Sequence, residues 1–179
     1  MTKKQLKERA LLLFSLSFLM EGLNQLGLID PKTKDLKCDM AEAEDDDDVI
    51  IFSIYKKLKR LRPSFGNKKV VNFFFKRLSK LEDEISQDCQ PLLMGLIGVY
   101  FYQKFKRTNE FDLGIKPSRI EKMFKSLIDE GFEVTNQTIL KTLEIIESIY
   151  PDEKGLIEFY RLTNRFPFNI LKQRSNNEF

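Results

Sequence analysis

Histidine, the side chain that most often moves a proton or binds a metal near neutral pH, does not occur in this chain. The two cysteines, Cys38 and Cys89, stand apart, outside any CxxC or Cys/His arrangement. That excludes a zinc motif and a disulfide scaffold. Cys89 lies two residues before Pro91, near an expected helix start where the dipole would lower a thiol pKa. With no histidine to activate it, it reads as structural. Carboxylates are plentiful, but none stands in an apolar context that singles out a tuned acid–base pair. Glu21, beside the apolar first helix, comes nearest and reads as a solvated or paired carboxylate at the helix end. Asp45, Asp46, Asp47 and Asp48 lack the alternating ligands and the glycine of a calcium loop. Consecutive aspartates on an emerging helix diverge, so the run reads as helix-start charge. A lesser reading folds the run over the basic block described next, masking it. There is no P-loop, no dinucleotide loop and no G-x-S-x-G. The expectation is a protein that is not an enzyme and uses no cofactor and no metal.

Binding chemistry is better represented. Residues 1–54 carry 7 basic and 11 acidic side chains, residues 55–80 carry 10 and 0, and residues 81–179 carry 13 and 16. The net charge of +3 therefore hides one concentrated basic block. Placed on helical wheels at about 100° per residue, Lys56, Lys57, Lys59 and Arg60 fall opposite the apolar stripe of their helix, with Phe52 among them. On the next helix Lys69, Lys76 and Lys80 share a narrow arc, with Arg77 at its edge and Phe73 inside it. Two basic faces thus each carry an aromatic that a solvated face would not want. They suit an acidic, apolar protein surface anchored by the rings, or phosphates held by Lys and Arg with bases stacked on Phe52 and Phe73. They also suit a solubilising face whose two rings tuck under neighbouring helices.

A second candidate spans residues 118–150. Two amphipathic segments, 118–130 and 135–149, flank the turn Gly131-Phe132-Glu133-Val134. The outline resembles a helix-turn-helix DNA reader, in which Asn136, Gln137, Thr138 and Lys141 would face the groove. The resemblance covers about 30 residues, since any pair of packed helices with a Gly turn gives it. The second segment also carries Glu144 and Glu147, which oppose a duplex.

The elements that must position these residues are helices. Leu12, Leu16, Leu19, Leu23 and Leu26 make one stripe of a helix at 3–26, widened by Leu6, Leu13, Phe14 and Phe18. A helix apolar on most sides is central. Its start, Lys3, Lys4, Lys7 and Arg9 before the apolar run 10–20, resembles a secretory leader, but no small-residue cleavage site follows. Residues 30–46 read as an acidic, polar connecting loop. Helices follow at 47–62 (Ile51, Ile54, Tyr55, Leu58, Leu61), stopped by Pro63 and Gly66, and at 67–85 (Val70, Phe74, Leu78, Leu81, Ile85). A helix at 88–107 is nearly all apolar over 92–102, too short for a membrane span. Gly95 and Gly98 there mark close helix approach or a weak point. The 118–130 and 135–149 helices come next, the former through Ile120, Met123, Phe124, Leu127 and Ile128. A shorter helix at 153–165 and a flexible tail at 170–179 end the chain.

The chain therefore reads as one all-α domain over 1–179, a compact bundle of six to seven helices. No set of motifs in it resembles a known family. The expected function is a non-enzymatic interaction or assembly protein, a component or adaptor of a larger complex. A nucleic-acid-binding regulator or packaging factor using the same faces is the alternative. A protein partner, no membrane and a cytoplasmic setting are expected. The Lys, Ile, Phe and Asn bias of an AT-rich genome allows a phage, viral or mobile-element origin, with a virion or host-cytoplasm location.

Overall fold

The computed structural model describes residues 1–37, 45–65, 67–79, 90–133 and 135–151, with backbone alone at 62–65 and 136. Among them are six helices, no strand and one isolated bridge between Ile29 and Leu36. The protein is an all-α bundle. The seventh helix and the tail expected at 153–179 lie outside the described residues.

α1 (Lys3–Gln25) is opened by a capping box in which Thr2 and Gln5 satisfy each other's backbone N–H groups. It closes at Gly27, whose φ of 73° suits glycine. Ala10, Leu11, Leu12, Phe14, Leu16 and Leu19 are buried on its several sides. The leader-like stretch is thus the buried centre of α1. α4 (Pro91–Phe105) is buried continuously from Leu92 to Gln103. Pro91 opens it at the position where a missing N–H costs nothing. These two are the central pair, packed antiparallel: Gly22 faces Leu92, Leu19 faces Gly95, and Ser15 faces Gly98. A Cβ at Gly95 would lie 2.8 Å from the Leu19 backbone nitrogen, and one at Gly98 2.5 Å from Ser15 Oγ. The glycines of α4 therefore mark close approach, not weakness.

α2 (Asp46–Phe65) and α3 (Lys68–Leu78) pack on α1. α5 (Pro117–Asp129) packs on α4, and α6 (Asn136–Ile149) packs on α4, α3 and α1. α2 runs through Pro63, contrary to the expected stop there. A proline in the last turn forfeits one hydrogen bond, and the helix ends two residues later. α3 ends at Leu78 with Ser79 as its cap, and its expected continuation over 80–85 lies outside the described residues. The connection after α1 is more ordered than its polarity suggests over its first half. Asp30 Oδ1 accepts from the backbone N–H groups of Lys32 and Thr33, at 2.7 and 3.1 Å. Those bonds lead in holding its carboxyl below the usual carboxylate range. Among the described residues no helix is long and apolar enough to cross a membrane.

Candidate functional site

The two basic faces have different fates. On α2, Phe52 is only 2% exposed. It belongs to the core with Ile51, Ile54, Tyr55 and Leu58, so its assignment as a surface anchor is corrected. The turn after α1 also reaches this side of α2, through Tyr55 and Lys59. Tyr55 Oη donates to Lys34 O at 2.7 Å, and Lys59 Nζ donates to the same carbonyl at 3.1 Å. Lys59 also pairs with Asp35. Lys57, half-buried, donates to Leu113 O at 2.6 Å. Two of the four cations expected on this face are thus structural ties. Lys56 and Arg60 make no ion pair among the described residues, and Arg60 is exposed.

α3 keeps its basic face. Val70 and Phe74 seat it in the core, Phe74 meeting Phe14 edge-on at 6.4 Å between centroids. Phe73, expected inside the basic arc, is half-buried against the core, with the Arg77 guanidinium 5.7 Å from its centroid. The ring that stands in solvent is Phe75, 54% exposed. It lies on one stripe with Lys68, Asn72 and Ser79, all exposed, and Lys69 and Lys76 flank the stripe, exposed as well. Lys68, Lys69 and Lys76 form no ion pair among the described residues. Lys80 lies outside those residues. The sequence signal for Phe75 was present: three consecutive residues, Phe73-Phe74-Phe75, span about 200° of a helix. No single core stripe can take all three, and Phe74 already occupies it.

The 118–150 pair forms the two helices expected of it, with Val134 of the turn outside the described residues, but α6 is not placed as a groove reader. Thr138 is fully buried, Lys141 is 8% exposed and Thr142 is fully buried. Thr138 N–H donates to its N-cap Thr135 Oγ1 at 3.1 Å, and Thr142 Oγ1 to Thr138 O at 2.7 Å. Gln137 is exposed, and the Asn136 side chain lies outside the described residues. The less buried side of α6 includes Glu144 and Glu147. The outline misleads because α6 packs against three helices, which bury Thr138 and Thr142, and these threonines are satisfied within α6 and its cap.

Two acidic features escaped the sequence. Glu8 is 1% exposed. It accepts from Arg107 N at 2.6 Å, from Thr108 N at 3.1 Å and from Thr108 Oγ1. A carboxylate so bonded is a satisfied anchor, tying the chain after α4 to α1. Arg9 pairs with Glu110 and lies 5.0 Å from the Phe111 centroid, and Tyr102 Oη donates to Phe111 O at 2.7 Å, fixing the same segment. Burial pushes the Tyr102 hydroxyl well above the usual phenol range, so it stays a donor. Glu21 is exposed and accepts from Gln25 Nε2 at 3.3 Å, the helix-end role read for it. The second feature is Glu130, whose carboxylate meets those of Asp45 and Asp47, oxygens within 4.8 Å of one another. Lost hydration, then the charges of Asp45, Asp47 and Asp48, push Glu130 above the usual range. The aspartates thus converge more than consecutive positions suggest, because Glu130 closes the group from the far end of α5.

A cavity of about 540 Å³ lies between the C-terminus of α1, the start of α4 and the α5–α6 turn. Leu26, Pro91 and Phe132 give it apolar wall, and Glu130 and Glu133 stand at it, both exposed. Gln90, also lining it, has a buried Oε1 with no hydrogen-bond partner among the described residues. Comparison with family models, with curated proteins and with solved structures finds no match.

Proposed function

We propose that this chain is a non-enzymatic helical interaction protein, a component or adaptor that docks the outward face of α3 on an acidic, apolar surface of a protein partner. The observation that carries the reading is Phe75, a large ring 54% exposed amid the exposed Lys68, Lys69 and Lys76. Aromatic side chains ringed by polar groups are the usual anchors of protein interfaces. Exposed lysines, which make no ion pair here among the described residues, steer an acidic partner and set its orientation. Lys56 and Arg60 on α2 extend the basic character without an anchor of their own. The same geometry supports nucleic-acid binding as the second reading, with Phe75 rather than Phe52 or Phe73 as the stacking ring.

The test is photo-crosslinking from a benzoyl-phenylalanine placed at position 75 of the full chain, in extract of the source cells. A discrete acidic protein adduct, absent when the probe stands at the exposed Lys125, is expected. A nucleic-acid adduct at position 75 would replace the reading with the second one. Equal adducts from both positions would remove α3 as the site.

A further inference from the structure

A different part of the surface gathers cations around space. Between the loop before α5 and the first turns of α5 lies a cleft of about 480 Å³, lined by Gly114, Lys116, Ser118, Arg119 and Lys122. It adjoins a second of about 210 Å³, which shares Gly114 and Arg119 and adds Val49, Ile50, Ile115 and Lys57. Three segments thus bring four cations to one place, and no acidic side chain lines either cleft among the described residues. Lys116, Arg119 and Lys122 are exposed and make no ion pair among those residues. Lys57 is held in place by its bond to Leu113 O at 2.6 Å. Gly114 sits at φ 66°, where a side chain is disfavoured, and its N–H bonds Asp112 Oδ1 at 2.8 Å. The wall between the clefts is therefore bare backbone.

The two clefts differ in chemistry. The larger is cationic, with an arginine whose planar fork matches a phosphate and a hydroxyl at Ser118 able to donate to it. Its size falls within the roughly 300–1,000 Å³ of small-molecule sites. The smaller has apolar walls in Val49, Ile50 and Ile115, all half-buried. A cavity of about 150 Å³ already accepts a benzene ring, so about 210 Å³ holds one ring of a ligand. Like charges gathered in a concave surface that no acidic side chain lines concentrate an anion there, with Asp112 near Lys57 but bonded to the Gly114 N–H.

We propose that the joined clefts bind a small phosphomonoester. Lys116, Ser118, Arg119 and Lys122 hold its phosphate, and the Val49–Ile50–Ile115 cleft takes an aromatic or apolar body. The site shares no residue with the α3 face and stands or falls independently of it.

Calorimetric titration of the full chain at low salt with phenyl phosphate, AMP and inorganic phosphate tests it. Phenyl phosphate and AMP are expected to bind saturably, and inorganic phosphate about tenfold or more weakly, since it leaves the apolar cleft unfilled. Arg119→Glu with Lys122→Glu is expected to weaken phenyl phosphate at least about tenfold by removing charge-assisted bonds. Both positions are exposed, so the thermal melt should not change. Arg119→Ala gives the milder form of the same loss. Lys4→Glu, an exposed change elsewhere that makes half of that charge change, controls for non-local charge and should leave affinity as it was. No saturable binding of phenyl phosphate or AMP up to millimolar concentration would overturn the proposal. So would affinity that survives the Arg119 and Lys122 changes, or that falls equally with Lys4→Glu. Inorganic phosphate binding as tightly as phenyl phosphate would remove the apolar subsite. Tight binding of a phosphoserine peptide without phenyl phosphate would make the cleft a protein-docking site instead.

Discussion

Replacing Gly95 by alanine sets two effects against each other. Alanine favours the interior of a helix over glycine by about 1 kcal/mol, so an isolated α4 would gain. In the bundle, the new methyl would stand 2.7 Å from Leu19 Cγ, 2.8 Å from Leu19 N and 3.0 Å from Leu19 Cδ2, where ordinary contact begins at 3.4 Å. The leucine side chain can rotate, but the backbone nitrogen belongs to the middle of α1 and cannot. Relief requires α1 and α4 to part by the difference between 2.8 and 3.4 Å. A gap of about 0.5–1 Å forfeits a quarter to a half of the dispersion attraction at each contact, along an interface buried from Leu92 to Gln103. Overpacking of this kind costs about 1–3 kcal/mol. Because the obstructing atom is backbone, the upper part of that range applies, and the net destabilisation is about 1–2 kcal/mol. At about 2–4 °C per kcal/mol for a chain of this size, the melting temperature should fall by about 2–8 °C. Thermal and urea unfolding followed by circular dichroism read it. A variant that melts at or above the parent temperature would show that propensity wins, and that the central pair is not packed backbone to backbone.

Glu8→Ala strands the part-buried donors at Arg107 N, Thr108 N and Thr108 Oγ1. At about 1–3 kcal/mol per buried group left unpaired, with partial access of water, a loss of about 3 kcal/mol is expected in urea unfolding. Glu8→Gln, which keeps an acceptor, should retain part of it. Glu130 has a raised pKa, so the folded chain holds this proton to higher pH than the unfolded chain does. Its own contribution to stability therefore rises as pH falls through that interval, opposite in sign to those of Asp30 and Asp112, whose carboxyls are held low, and ionised Glu130 weakens the fold near neutrality. Glu130→Gln should raise the melting temperature near pH 7, and the difference from the parent should shrink towards the carboxylate range. An unchanged difference across that range would show that the cluster does not interact.

What could be read without the structure follows periodicity. The helices at 117–129 and 136–149 were legible to within about two residues because apolar spacing, Pro117, the Thr135 cap and Gly131 all agree. The central role of α1 and α4 was legible because both are apolar beyond a single stripe. Pro63 misled because a proline signal does not say whether a helix ends at it or shortly after. The site was less legible, since a wheel describes one helix in isolation. It could not know that Phe52 would be drawn into the core, that the turn after α1 would tie up Lys59, or that Lys141 would be buried. Phe75 was within reach, had the three-phenylalanine run been placed on the wheel as a whole. Glu8 and Glu130 were not, since their partners lie about 100 and about 85 residues away in sequence.

The most direct measurement takes the partner crosslinked at position 75 and follows its equilibrium binding to the parent chain, Phe75→Ala and Lys69→Glu/Lys76→Glu across a range of salt. A protein interface anchored by the ring predicts a loss of about 2 kcal/mol, or about 30-fold, for Phe75→Ala, with a shallow salt dependence and a smaller loss for the lysine changes. Single-stranded DNA or RNA binding in the partner's place, with affinity falling steeply with salt, the lysine changes abolishing it and Phe75→Ala costing less, would contradict the account and make α3 a polyanion surface.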